Sequence, residues 1–200
     1  MRLGILVSGR GSNLEAVLTA VSSGRLTGVE PVLVLSNRRR IRALSVAQRH
    51  GVASEVLAGR DFADLAARDA AIGQRLTTAR CDLALLAGYD QLLRPSYFAA
   101  FGGRTINIHP SLLPRHGGAG MMGLAVHRAV LAAGDRQTGV TIHDVTIELD
   151  RGAPIEQVAV PVFDDDTAER LAERVLVVEH LALLGVLSQL SASMAAAPRA

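Results

Sequence analysis

The string Asn107-Ile108-His109-Pro110 carries the strongest chemical signal in the sequence. It closes an apolar run that reads as a strand from Thr105 to His109. Residues two apart on a strand face the same way, so the Asn107 amide and the His109 imidazole project together. Open α/β sheets place their ligands at such strand C-terminal ends. An amide donor beside a titratable ring can hold a developing negative charge and move a proton. A histidine alone at such a place is more often structural, and a buried polar pair needs partners. The pairing with asparagine turns the reading towards function, as does the glycine-rich loop that follows through Gly117, Gly118, Gly120 and Gly123.

Ser8-Gly9-Arg10-Gly11-Ser12-Asn13 sits at a strand-to-helix turn. Glycines let the backbone approach a ligand, and the free N–H groups of a helix start attract an anion. An ordinary turn capped by Ser12 or Asn13 explains the string equally well. A dinucleotide fingerprint fits worse, because its third glycine position is Leu14. Asn37-Arg38-Arg39-Arg40 could grip an NADP phosphate, although a solvated basic turn is the better reading. Glu148-Leu149-Asp150-Arg151-Gly152, after a strand carrying His143, is by itself simply a charged turn. The six histidines show no metal-ligand spacing, so no metal is expected.

Short apolar runs alternate with helix-length segments and must position these residues. Leu3 to Val7, Val29 to Leu35, Ala53 to Leu57 and Leu83 to Ala87 read as strands. Asn13 to Val21, Ile41 to His50 and Phe62 to Arg80 read as the helices between them. Continuous apolar strands separated by helices predict a doubly wound, mostly parallel α/β sheet. After Leu124 to Ala133, a helix, come Gly139 to Val145 and Pro154 to Val162, two strands joined by a turn at Asp150-Arg151-Gly152, which predict an antiparallel C-terminal portion. Thr167 caps a long final helix to Leu190. One domain over 1–190 is expected, with 191–200 as a flexible tail.

Composition narrows the classes. With 200 residues, 49% hydrophobic and 20% charged, the chain can bury a sizeable core. All 21 basic residues are arginine, which excludes the lysine-bearing phosphate loop of P-loop NTPases and a Schiff-base lysine. One cysteine, Cys81, excludes a disulfide framework within the chain and suits a reducing, cytoplasmic setting. Met1 leads straight into the first strand, so no signal peptide is expected. No apolar run looks long enough to cross a bilayer; Leu181 to Leu187 is the best candidate. A net charge of +2 and six aromatics make nucleic acid a poor partner.

Five strings occur in one order: Ser8-Gly9-Arg10-Gly11-Ser12-Asn13-Leu14, Leu86-Ala87-Gly88-Tyr89, Asn107-Ile108-His109-Pro110-Ser111-Leu112-Leu113-Pro114, Leu149-Asp150-Arg151-Gly152 and Glu179-His180. With them the chain closely resembles the phosphoribosylglycinamide formyltransferase family over almost all its length, from Met1 to about Leu190. The resemblance implies a formyltransferase-like fold and transfer of a formyl group from 10-formyltetrahydrofolate, a co-substrate, to the amine of glycinamide ribonucleotide. Neither metal nor ATP is implied. It places the catalytic groups on Asn107, His109 and Asp150. Ribonucleotide contacts fall on Gly11, Ser12, Asn13, Gly88 and Glu179, and the formyl-folate segment on Asp90, Gln91, Leu92 and Leu93, with Asn107 shared. Asp150 is expected to raise the His109 pKa and favour the imidazolium.

Three positions depart from the family's usual pattern. Asp90-Gln91 stands where Met-Arg is common, Leu65 where an arginine often meets the folate tail, and Arg115-His116-Gly117-Gly118 where an aromatic and a proline are usual. Arg60 and Arg68 become the nearest candidates for the tail. Expected partners are small-molecule substrates, with no nucleic acid and no membrane, in a monomer or homodimer. Methionyl-tRNA formyltransferases and formyltetrahydrofolate hydrolases share the chemistry but carry additional domains. An NADP-dependent reductase or a non-catalytic phosphate-binding module would be the readings from other classes.

Overall fold

The computed structural model describes residues 1–196. Seven strands form one sheet: β1 (Arg2–Val7), β2 (Glu30–Ser36), β3 (Ser54–Val56), β4 (Leu83–Leu86), β5 (Arg104–His109), β6 (Gln137–Asp144) and β7 (Pro154–Pro161). Their hydrogen-bonded order is β3-β2-β1-β4-β5-β6-β7. β1 pairs in parallel with β2 and β4, β2 in parallel with β3, and β6 antiparallel with β7. The helices are α1 (Ser12–Ser22), α2 (Arg42–Arg49), α3 (Leu65–Thr78), α4 (Pro95–Ala100), α5 (Leu124–Ala132) and α6 (Ala168–Ala196). This is the doubly wound, mostly parallel sheet with an antiparallel C-terminal portion and a long last helix that the sequence predicts.

The chain forms two compact units, Met1–Ile106 with the residues from Leu187 onward, and Asn107–Val186. In the first, β1 and β4 are almost wholly buried, as strands covered on both faces must be. The winding reverses between these two strands, so the turns leaving β1 and β4 flank the crevice where such sheets bind ligands. The two turns are bonded to each other: Ser8 N donates to the Gly88 carbonyl at 3.2 Å and Asp90 N to Ser8 Oγ at 2.9 Å.

In the second unit the β6–β7 hairpin supports the loop after β5. Thr141, fully buried on β6, donates to the Ser111 carbonyl at 2.7 Å and accepts from Leu113 N at 3.0 Å. Gln157 on β7 donates to the Leu113 carbonyl at 2.9 Å. At the end of the hairpin loop, a Cβ on Gly152 would meet the Asp144 carbonyl oxygen at 1.6 Å, so only glycine fits.

Several boundaries differ from the sequence reading. α3 starts at Leu65, because the Asp64 carboxylate caps it by accepting from Ala67 N at 2.7 Å. The preceding Gly59–Asp61 is a short 3-10 turn. α4 has no counterpart in the expected elements; it packs on α3, where a Cβ on Gly73 would meet the Tyr97 carbonyl oxygen at 2.8 Å. The expected break at Ser191 is absent. The helix continues to Ala196, and Ser191 is buried with its hydroxyl donating to the Gly28 carbonyl at 2.7 Å. Residues 197–200 of the expected tail lie outside the described residues. The same helix corrects the expectation about apolar length: by length and composition it could cross a bilayer, with mean hydropathy 1.7 over 18 residues. Glu179 and His180 interrupt the run. A third of that window is buried within the protein, and a core helix passes the same test.

Candidate active site

Asn107 and His109 lie on β5 two residues apart, as the strand period requires. His109 is buried and Asn107 partly exposed. The His143 ring on β6 holds the Asn107 amide at 3.1 Å, from Nδ2 to Nε2. The other ring nitrogen, Nδ1, is 2.9 Å from the Asp144 carbonyl, which can only accept. Nδ1 is therefore the N–H and Nε2 the lone pair, so one Asn107 N–H donates to His143 and the second is left to point elsewhere.

His109 is fixed by the same logic. Its Nε2 lies 2.9 Å from the His116 carbonyl and must carry hydrogen. Its Nδ1 faces Asp150 Oδ2 at 3.8 Å, an ion-pair distance too long for a hydrogen bond. Asp150, nearly buried and in a left-handed backbone conformation (φ 54°), anchors Oδ2 on Gly118 N at 2.8 Å and turns Oδ1 towards His143 Nε2 at 3.7 Å. One carboxylate thus faces both imidazoles.

The expected rise of the His109 pKa needs correction. Burial pushes it below the usual histidine value, and this outweighs the upward pulls of the His116 carbonyl and the Asp150 charge. Asp150 opposes the desolvation without overcoming it.

In the first unit, Gly11 precedes α1 in the left-handed region, φ 76°, and no side chain caps the helix. Its first-turn N–H groups are the kind that accept an anion. Ser12 is partly exposed; Asn13 is buried, and its Oδ1 has no hydrogen-bond partner among the described residues. Gly88, also left-handed (φ 72°), is exposed, and its carbonyl accepts from Ser8 N. Asp90 accepts from Asn37 Nδ2 at 2.8 Å and pairs with Arg38, while Asn37 Oδ1 accepts from Ser8 Oγ at 2.7 Å. This network joins the turns after β1, β2 and β4. It also engages Arg38, and Asp61 engages Arg39 at 2.7 Å, which removes two of the cations an NADP phosphate would need.

Gln91 and Leu92 are accessible to different degrees and Leu93 is buried. Gln91 Oε1 lies 3.4 Å from Arg68 Nη1. That arginine is no surface cation: it is 1% exposed, with Nε and Nη2 both donating to Asp69 Oδ1, at 2.8 and 2.5 Å. The other Asp69 oxygen accepts from Arg94 N at 3.0 Å and Arg94 Nη1 at 3.3 Å. The folate-tail role considered for Arg68 is therefore corrected, since an exposed glutamate tail cannot reach it. Arg60 is exposed. Glu179 in the second unit is buried and partnered.

His143 and His116 are the residues that the sequence left without a role. For His143 a signal existed, because Thr141 and His143 alternate with apolar Ile142 on a strand. His116 acts through its carbonyl, which no residue type reveals. Among the described residues no group of three or more histidine, cysteine or acidic side chains could hold a metal.

Known proteins resemble this chain in sequence and in fold. The profile of the formyl transferase family matches residues 1–187. The phosphoribosylglycinamide formyltransferase of Escherichia coli strain K12 is 36% identical over 180 residues, 90% of this chain and 82% of that protein. The trifunctional purine biosynthetic protein adenosine-3 of Drosophila melanogaster is 38% identical over 94% of this chain, which spans only 14% of that longer protein. Among solved structures, glycinamide ribonucleotide transformylase 1 from Symbiobacterium toebii has a TM-score of 0.90 at 36% identity, covering 96% of this chain and 88% of its own. Phosphoribosylglycinamide formyltransferase from Brucella melitensis has 0.85 at 40%, covering 96% and 95%. With a profile match over nearly the whole chain and close agreement in fold, the chain belongs to the formyl transferase family, in its phosphoribosylglycinamide formyltransferase branch.

Proposed function

We propose that the protein transfers the formyl group of 10-formyltetrahydrofolate to the amine of glycinamide ribonucleotide, in de novo purine biosynthesis in the cytoplasm, by direct attack through a tetrahedral intermediate. The observation that carries the reading is the Asn107 amide, oriented by His143 with one N–H to spare, beside a buried imidazole whose Nδ1 faces Asp150. The neutral amine attacks the formyl carbon, and negative charge grows on the formyl oxygen. Asn107 N–H and the protonated Nδ1 of His109 are the donors for that oxygen. As the intermediate collapses, the bond from the formyl carbon to folate N10 breaks. N10 takes the imidazolium proton, and the attacking amine gives one proton to the freed His109 Nδ1, so that one proton passes from amine to N10 overall and the imidazolium is restored. Asp150 assists by drawing the second proton onto Nδ1 against the cost of burial.

Gly11, Ser12 and Asn13, with Gly88, bind the ribonucleotide, its phosphate on the first-turn N–H groups; Glu179 serves the glycinamide end. Asp90 to Leu93 recognise the folate head, chiefly through main-chain groups, since Asp90 spends its carboxylate on Asn37 and Arg38. Absorbance-monitored formyl transfer from 10-formyltetrahydrofolate to glycinamide ribonucleotide, with neither metal nor ATP added, tests the reading. Turnover of that pair supports it; no turnover, or turnover only with another acceptor, overturns it.

A further inference from the structure

The His109 ring depends on a main-chain carbonyl that is itself held from outside the catalytic set. That carbonyl belongs to His116, a non-glycine residue in the left-handed region with φ 53°. Such a conformation is strained and persists only where its surroundings enforce it. Several attachments secure the loop, among them the Gln157 side chain on the Leu113 carbonyl. Thr141 holds Ser111 and Leu113. Ser111 Oγ donates to the Arg115 carbonyl at 2.7 Å. Asp135 holds the side chains of Arg115 and His116: Oδ1 pairs with the Arg115 guanidinium, and Oδ2 lies 2.7 Å from His116 Nε2.

Ser111 Oγ also lies 3.5 Å from the His116 carbonyl, a long contact, whereas the Asp135 contact grips the His116 ring itself at 2.7 Å. Asp135 suits that task. It stands in the short connection between α5 and β6, where its N–H donates to the Val130 carbonyl at 3.3 Å. Its side chain is 10% exposed and that of His116 is 14% exposed. The His116 hydrogen bond, with Arg115 assisting, holds the Asp135 carboxyl below the usual carboxylate range, so it stays ionised.

We propose that Asp135 is a positioning residue for the catalytic histidine: by clamping the His116 ring it fixes the His116 carbonyl, which keeps His109 in the Nε2–H form with Nδ1 turned to Asp150. The partner of one imidazole nitrogen decides which nitrogen carries the proton. Without the His116 carbonyl, a neutral His109 would place its hydrogen on Nδ1 against Asp150 and lose the lone pair that picks up the catalytic proton. The catalytic consequence rests on the formyl-transfer reading; the tautomer does not.

The test is nitrogen-15 NMR of the histidine rings, at a pH where they are neutral, in the full-length protein and its Asp135→Ala, Asp135→Glu and His116→Gly variants. Steady-state formyl transfer is measured alongside. Glycine at 116 keeps the left-handed backbone accessible while removing the ring. Glutamate at 135 has room, because a cavity of about 240 Å3 borders Asp135 and His116. The unmodified protein should show His109 as Nε2–H. Asp135→Ala and His116→Gly should shift it to a mixture of tautomers and lower kcat about tenfold with both KM values within about twofold, because a misplaced imidazole proton impairs proton transfer. Asp135→Glu should restore both readings in large part. Should Asp135→Ala not fold, His116→Gly decides alone. A His109 ring that is Nδ1–H in the unmodified protein, or Nε2–H in every folded variant, overturns the proposal. So does a rise in KM at constant kcat. If the unmodified protein shows no formyl transfer, the functional reading falls while the tautomer measurement still judges the clamp.

Discussion

Replacing Arg68 by alanine should damage stability and leave folate recognition almost untouched. The guanidinium is 1% exposed, and two of its N–H groups converge on Asp69 Oδ1, a carboxylate that is itself fully buried. Removing one partner from a buried ion pair typically costs about 3–5 kcal/mol, because the charge left behind keeps its desolvation penalty. Here Asp69 retains the Arg94 main-chain N–H and guanidinium on Oδ2, so the lower half of that range applies. For a chain of this size each kcal/mol corresponds to about 2–4 °C in Tm, giving a fall of about 6–16 °C. Arg68→Met with Asp69→Leu should recover part of the loss by removing both charges. The recovery stays incomplete, since Arg94 N then loses its acceptor, at about 1–3 kcal/mol. Thermal unfolding of the two singles and the double gives the coupling, and KM for formyl-folate at low and high salt gives the ligand effect. An unchanged Tm together with a salt-sensitive rise in that KM would refute the burial argument and return Arg68 to the folate tail.

Asn107→Ala and His109→Ala should each lower kcat about a hundredfold or more, and the double variant should lose less than the product, by steady-state kinetics. Because the Asp150 charge pulls the His109 pKa upward, Asp150→Asn should move the acid-requiring limb of the kcat profile to lower pH; an unmoved limb would detach Asp150 from His109. Burial holds His109, His127 and His180 below the usual histidine value of 6.5, so between that value and their folded values the unfolded chain binds more protons. Tm should therefore be insensitive to these groups above about pH 6.5 and should fall as the pH drops below it; calorimetry showing no such fall would contradict their burial. Gly11→Val should lower Tm, since φ 76° is unfavourable to valine and a Cβ would lie 2.9 Å from Ala43 Cα, whereas Asn13→Ala should raise the ribonucleotide KM at unchanged kcat.

The sequence made the sheet legible where one element carried its own signal. Parallel strands such as Leu3 to Val7 and Leu83 to Leu86 are apolar throughout because both faces are covered, and their short length between turn signals separates them from the Leu181 to Leu184 stretch of the last helix. The Asn107 and His109 pair was legible for a similar reason, since a period of two is enough to put both on one face. α4 failed this test: it has six residues and opens with Pro95, which reads as an interruption even though proline suits the first turn of a helix. Ser191 and its alanine-rich neighbours read as a tail because their partner, Gly28, lies 163 residues away.

The candidate site divides along the same line. Which residues gather at the strand ends follows from short strings, but their protonation does not. An arginine on an alanine-rich helix looks solvated until its burial against Asp69 is seen. Asp150 next to an imidazole suggests a raised pKa, yet the sign turns on how much water is excluded from His109, and that depends on every element packed around it. The tautomer of His109 depends on a carbonyl, a group present at every position and thus invisible in residue types. Short motifs therefore indicate which groups can react. Whether they react as acid or as base is decided by contacts between segments far apart in the chain, such as His116 with Asp135, and these become visible only once the chain is folded.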